Sequence, residues 1–229
     1  MTVTISNDSR ARIKKAFEPI ALGMGRLGLT PDALTLIGFA ITVIGAVLVA
    51  GQLWLAAGLV ILFGGVFDMF DGTLARATGK VSNLGAFYDS VFDRAGEVIV
   101  YVGLVIGLQE LGILNGTVLA AAAMGSAVLV SYTRSRSEGL GFTSGSGMAA
   151  VGIMTREVRL IILSAGLVLA GLLGTAPDNG SCATCAGGAA FQPGAGVLFL
   201  ALGIIAVGSI LTTIQRILHV RRQARRQST

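Results

Sequence analysis

Six apolar stretches, separated by short polar punctuation, occupy most of the chain. The first follows L-T-P-D-A-L-T, where Thr30 is placed to cap a helix and Pro31 fits its first turn, since a missing N–H costs nothing there. It runs from about Asp32 to Val49 and ends near Gly51, with Gln52 as the whole of a polar loop. A second stretch runs from Leu53 through Trp54 to Arg76, and T-G-K-V-S-N-L-G joins it to a third that contains Asp89, Asp93, Arg94 and Glu97 and reaches Leu108. The fourth extends from about Thr117 to Tyr132 and continues as the polar helical run T-R-S-R-S-E. A fifth begins near Thr155 and stops before Pro177, and the sixth covers about Gly194 to Leu218. Roughly twenty residues of helix cross a hydrocarbon layer about 30 Å thick, so each stretch has the length of a transmembrane helix.

Ahead of them, Ala11, Ile13, Phe17, Ile20, Ala21 and Met24 alternate at helical spacing with Arg10, Lys14, Lys15, Glu18 and Arg26. That pattern predicts an amphipathic helix from Ser9 to about Leu27 lying at a membrane surface, with Pro19 as a break or kink. The expected fold is an all-α integral membrane protein of six transmembrane helices preceded by this interfacial helix. Its divisions are residues 1–30 (tail and juxtamembrane helix), 31–220 (membrane domain) and 221–229 (basic tail).

Composition agrees. Of 229 residues only 13% are charged, about half the share usual in a soluble domain, and the mean hydropathy is +0.79. The 33 glycines fit close helix packing in lipid rather than disorder. Six spans return both ends to one side. The turns near Gln52 and Glu110 and the segment from Pro177 to Pro193 contain no Lys or Arg, so the positive-inside rule puts the N-terminus, the Arg76–Gly85 connection, the Arg134–Arg159 region and the C-terminus in the cytoplasm. This explains the net charge of +5 without nucleic acid. No secretory signal peptide is expected, because the first thirty residues lack an apolar core. Cys182 and Cys185 form one C-x-x-C, too few thiols for a structural zinc site; a disulfide and two free thiols both remain open.

The candidate chemistry lies between the second and third stretches. Asp68 and Asp71, then Asp89 and Asp93, are spaced i,i+3 and i,i+4, so each pair shares one helical face. Ionisable residues in membrane helices usually mark a functional site, and four converging carboxylates require cations. Hard oxygen ligands point to Mg2+ or Mn2+, with room for two ions on Asp68, Asp71, Asp89 and Asp93. An ion-conducting or transporting protein is the rival class, but it leaves the neighbouring Gly72, Gly85, Ala75 and Arg76 without a reason. Arg76 stands two turns after Asp68, on the same face and within reach of a phosphate.

D-x-x-D-G-x-x-A-R, eight residues, then G-x-x-x-D-x-x-x-D, resembles the signature of the CDP-alcohol phosphotransferases, with Asp68, Asp71, Gly72, Ala75, Arg76, Gly85, Asp89 and Asp93 at its fixed positions. The resemblance implies transfer of a phosphatidyl or archaetidyl group from CDP-diacylglycerol or CDP-archaeol to an alcohol, with release of CMP. Asp93 would be the catalytic base, and Asp68, Asp71, Gly72, Ala75, Arg76 and Gly85 would hold the CDP-lipid. It also implies a homodimer in the cytoplasmic membrane. S-Y-T-R-S-R-S-E-G-L-G, T-R-E-V-R-L-I-I and I-Q-R look like the prokaryotic phosphatidylinositol-phosphate synthases and their archaeal counterparts. In that group the acceptor is inositol 1-phosphate, its phosphate held by residues matching Arg134, Arg156 and Arg216. Glycerol 3-phosphate and serine are the competing acceptors. Arg216 stands out on its own, since a buried arginine within an apolar helix is expected to need an anionic partner.

Overall fold

The computed structural model describes residues 19–142, 151–175 and 193–227. Cys182, Cys185, the residues before 19 and most of the F-T-S-G-S-G segment lie outside the described residues. A short helix α1 (19–26) leads into α2 (Pro31–Ala50), α3 (Trp54–Ala77), α4 (Asn83–Glu110), α5 (Leu114–Gly139), α6 (Arg156–Leu173) and α7 (Pro193–Gln227). The described residues contain no strand. Local sequence accounts for the starts of two helices. Thr30 Oγ1 accepts from the Ala33 N–H at 3.2 Å with Pro31 in the first turn, and Ser82 caps α4 by accepting from the Gly85 N–H at 2.9 Å. α7 runs through residue 220 to Gln227 without a break.

Among the described residues four helices, α2, α3, α5 and α7, are long and apolar enough to cross a membrane. α4 and α6 are of spanning length but gather charge, with Asp89, Asp93, Arg94 and Glu97 on one and Arg156, Glu157 and Arg159 on the other. Large apolar side chains such as Val47, Leu59, Phe63, Leu200 and Val207 point outward, as lipid-facing residues do. Each of the six long helices packs against two others, in the closed order α2, α3, α6, α7, α5, α4 and back to α2. α4 and α6 are therefore not neighbours and face each other across the interior. The core is built from small and branched residues, among them Ala57, Ala120, Ala123, Ala127, Ala170, Leu104, Leu167 and Leu202. At the α3–α6 crossing a Cβ on Gly58 would stand 2.8 Å from the Ser164 carbonyl oxygen, so glycine sets how closely those helices approach.

Candidate functional site

A second, smaller apolar cluster, Ala21, Leu34, Phe70 and Leu74, packs α1 and the start of α2 against the end of α3. It fixes the segment that presents Asp68 and Asp71. Asp71 is buried and accepts from Thr35 Oγ1 at 2.6 Å and from the N–H of Gly72, so its carboxylate is held by α2 and by its own helix. Asp68 meets α2 more directly. A Cβ on Gly38 would collide with Asp68 Oδ1, and only a glycine leaves the space that carboxylate occupies. Gly38→Ala is therefore expected to push Asp68 aside and lower turnover roughly 10- to 100-fold, in line with the cost of ångström-scale misplacement of a reacting group. Parallel measurement of turnover and thermal unfolding checks this; full turnover in the variant would refute the packing argument.

On α4, Asp89 and Asp93 share a face as their spacing requires, and Asp89 is within electrostatic range of Asp68, Asp71 and Asp93. The four signature carboxylates are thus brought together, but not as a closed ligand shell. Among the described residues no three acidic, histidine or cysteine side chains stand close enough to hold a metal ion. Between them stands Arg156, the first residue of α6, whose Nη2 lies 2.9 Å from Asp68 Oδ2 and 2.8 Å from Asp93 Oδ1. Its guanidinium bridges α3 and α4 where like charges would otherwise repel. A set made only of carboxylate oxygens, neutralised between its members by one cation, fits a hard divalent metal.

The glycines and Arg76 of the signature are placed as follows. Gly72 contributes its N–H to Asp71, and Gly85 sits in the capped first turn of α4, where a Cβ would come within 3.3 Å of Asp32 Oδ1. Ala75 is half-buried, and Arg76 is exposed, its guanidinium lying back along α3 beside Gly72 and 3.5 Å from Thr73 Oγ1.

Of the three expected acceptor arginines, Arg156 alone touches the carboxylates in the structure. Arg134 pairs with Glu138 one turn on at 3.0 Å, near the end of α5. Arg216 is buried as anticipated, and within the protein it donates to the backbone carbonyl oxygens of Val130 and, at 3.0 Å, Val151. Backbone carbonyls can accept from a guanidinium at these places because α7 packs against α5 and the segment before α6 crosses it, where the Met154 N–H also donates to Thr212 Oγ1 at 2.9 Å. Arg216 lies within electrostatic range of Arg134 and Arg159, and of Glu138, so basic residues of α5, α6 and α7 come together here.

The pair Glu97–Arg159 was not singled out from the sequence. Arg159 is 1% exposed and binds Glu97 through both carboxylate oxygens, Nε to Oε1 at 2.6 Å and Nη2 to Oε2 at 2.8 Å. The signal was present, since Glu97 follows Asp93 by one turn and Arg159 follows Arg156 by three residues. Beside both pairs is a cavity of ≈ 40 Å³ lined by Thr42, Asp93, Glu97, Tyr101, Arg156 and Arg159, and a smaller one shares Thr42, Asp93 and Arg156 with it.

Comparison with known proteins bears on this arrangement. The archaetidylinositol phosphate synthase of Pyrococcus horikoshii is 38% identical over 154 residues, 67% of this chain and 77% of its own. The phosphatidylinositol phosphate synthase of Streptomyces avermitilis is 34% identical over 94% of this chain and 82% of its own. Among solved structures, the phosphatidylinositol phosphate synthase of Mycobacterium tuberculosis with CDP-DAG bound superposes with a TM-score of 0.74 at 28% identity, covering 90% of this chain and 94% of that one. The same enzyme in complex with manganese and citrate gives a TM-score of 0.71 at 28% identity, covering 89% and 88%. The profile of the family described as CDP-alcohol phosphatidyltransferase matches residues 28–220, which contain all four carboxylates, Arg156 and Arg216, and with that the chain belongs to the CDP-alcohol phosphatidyltransferase family.

Proposed function

We propose that the protein transfers a phosphatidyl or archaetidyl group from a CDP-linked lipid to inositol 1-phosphate and releases CMP. The observation that carries the acceptor is the cationic group beside the acidic one: Arg156 reaches Asp68 and Asp93, while Arg216 lies within electrostatic range of Arg134 and Arg159. A neutral alcohol would not need such a group, whereas an acceptor with its own phosphate would, and guanidinium geometry suits phosphate oxygens. Relatives named as archaetidylinositol phosphate synthase and phosphatidylinositol phosphate synthase support the same choice.

In this reading Asp93 takes the proton of the attacking hydroxyl as its oxygen bonds to the lipid-bearing phosphorus, and the anhydride bond to CMP breaks. Asp68, Asp71, Asp89 and Asp93 would hold Mg2+ or Mn2+, as two ions; when bound, the metal neutralises the diphosphate. Gly72, Ala75 and Gly85 leave the nucleotide room to approach, and Arg76 reaches a donor phosphate. Arg134, Arg156 and Arg216 take the acceptor phosphate. All six long helices cross the membrane, the site opens to the cytoplasm where the basic residues gather, and two subunits associate, each with a complete site.

The test uses purified protein in lipid discs with CDP-diacylglycerol and Mn2+ or Mg2+, and compares CMP release with inositol 1-phosphate, glycerol 3-phosphate, free inositol and serine. Inositol 1-phosphate is expected to be preferred, and chelation by EDTA to stop the reaction. Preference for glycerol 3-phosphate would overturn the acceptor and keep the reaction class. No CMP from any of the four would overturn both.

A further inference from the structure

We infer that Glu97 and Arg159 are positioning residues: a fixed strut across the bundle that sets where Arg156 and Asp93 stand. This rests on the transfer reaction proposed above. Two ionic rungs join α4 to α6, and these helices are not neighbours in the ring. The outer rung is Arg156 to Asp93 at 2.8 Å, and the inner rung, one turn deeper, is Arg159 to Glu97.

The rungs differ in how firmly they are tied. Arg156 divides a single nitrogen, Nη2, between two carboxylates, and its side chain is 31% exposed. It can turn to another anion at small cost. Arg159 is almost wholly buried, uses two nitrogens on Glu97, and donates a third bond from Nη1 to the Met154 carbonyl oxygen at 3.1 Å. Met154 is itself fastened to α7 through Thr212. Glu97 is thus linked by hydrogen bonds through Arg159 to the chain entering α6 and on to α7.

Deeper in the bundle the two helices share one apolar cluster, through Val100 and Leu104 on α4 and Leu163 and Leu167 on α6. Between the rungs and the apolar core is the cavity of ≈ 40 Å³, with the Tyr101 hydroxyl in its wall and without a hydrogen-bond partner among the described residues. A space of that size has room for water; Ile61, Val100, Leu160 and Leu163 form the rest of its wall, and the strut spans from α4 to α6 along its charged edge. Asp93 is one turn from Glu97 and Arg156 three residues from Arg159, and a change in the strut is transmitted to both.

Removing one member has a specific consequence. In Glu97→Gln the buried guanidinium of Arg159 loses its counter-charge, and the carboxylate nearest along α4 is Asp93. Arg159 then competes with both Arg156 and metal for Asp93. The experiment measures Mn2+ affinity by calorimetry, which needs no turnover, together with kcat, the KM values for inositol 1-phosphate and CDP-lipid, and thermal unfolding. Glu97→Gln is expected to weaken Mn2+ binding several-fold and raise the KM for inositol 1-phosphate about ten-fold, with a smaller change in the KM for CDP-lipid. Arg159→Lys keeps the charge but not the two-pronged contact, and is expected to fall between that variant and wild type. The double change Glu97→Leu with Arg159→Met replaces a buried ion pair by apolar bulk, a swap that often leaves stability unaffected. It is expected to unfold near the wild-type temperature and still show the raised KM, because the two-pronged contact that places Arg156 and Asp93 is gone.

Mn2+ affinity and KM within two-fold of wild type in Glu97→Gln, or wild-type constants in the double variant, would overturn the strut and leave an ordinary structural ion pair. If the double variant does not fold, Glu97→Gln and Arg159→Lys decide. If wild-type protein releases no CMP with inositol 1-phosphate, the proposed acceptor fails, and the Mn2+ affinities alone still decide the strut.

Discussion

Asp93→Asn is expected to lower CMP release by about 10³-fold or more while the protein stays folded. A general base contributes roughly 10²- to 10⁴-fold, and a carboxamide of the same shape cannot take the proton. In the function proposed above, the substitution also withdraws one oxygen ligand from the metal. Folding survives because Asn fills the same space and Arg156 keeps Asp68 as its partner at 2.9 Å. The control is the next residue. Arg94 approaches Asp93 only at 3.9 Å and turns its guanidinium to the Ser90 carbonyl oxygen at 2.7 Å, so Arg94→Ala is expected to change turnover by no more than a few-fold, as partly exposed ion pairs usually do. Residual turnover in Asp93→Asn above a tenth of wild type would remove Asp93 from the role of base and leave it as one ligand among four.

What the sequence made legible was whatever is written in local spacing. Thr30 and Pro31 announce the start of α2, and i,i+3 and i,i+4 carboxylates share a face on any helix, so the acidic centre is legible in the sequence alone. The limits of the helices were nearly as plain, because apolar runs end where glycine and polar residues begin. What spacing does not carry is which helix faces which. Thr35 holds Asp71 and Gly38 makes room for Asp68 across the α2–α3 contact, and neither position differs in pattern from an ordinary lipid-facing or core residue. Arg216 shows the same limit from the other side. Its burial was inferable from its place in an apolar helix, but its partners are backbone carbonyls on α5 and before α6, and backbone carbonyls leave no trace in residue identity. Charges four residues apart on α4 and three apart on α6 were visible as well; that they meet as two rungs follows only from the ring order of the helices.

Arg156→Ala is expected to produce two separable effects, because Arg156 is given two tasks. The first concerns stability. Arg156 is the cation between Asp68 and Asp93, and without it the two carboxylates repel in a poorly hydrated setting. The variant is therefore expected to unfold at a lower temperature than wild type in EDTA, and Mn2+ is expected to recover most of the difference, since a divalent ion supplies the missing charge. The second concerns the acceptor. A hydrogen bond to a charged partner is worth roughly 1.5–3 kcal/mol, which corresponds to a rise of about 10- to 150-fold in the KM for inositol 1-phosphate. Arg156→Lys separates the tasks further: an ammonium can neutralise the two carboxylates and restore stability in EDTA, but it lacks the planar fork for a phosphate and should recover only part of the KM. Should Arg156→Ala leave that KM unchanged and lower kcat alone, Arg156 would belong to the carboxylate centre throughout the reaction, and the acceptor phosphate would have to be held by Arg134 and Arg216.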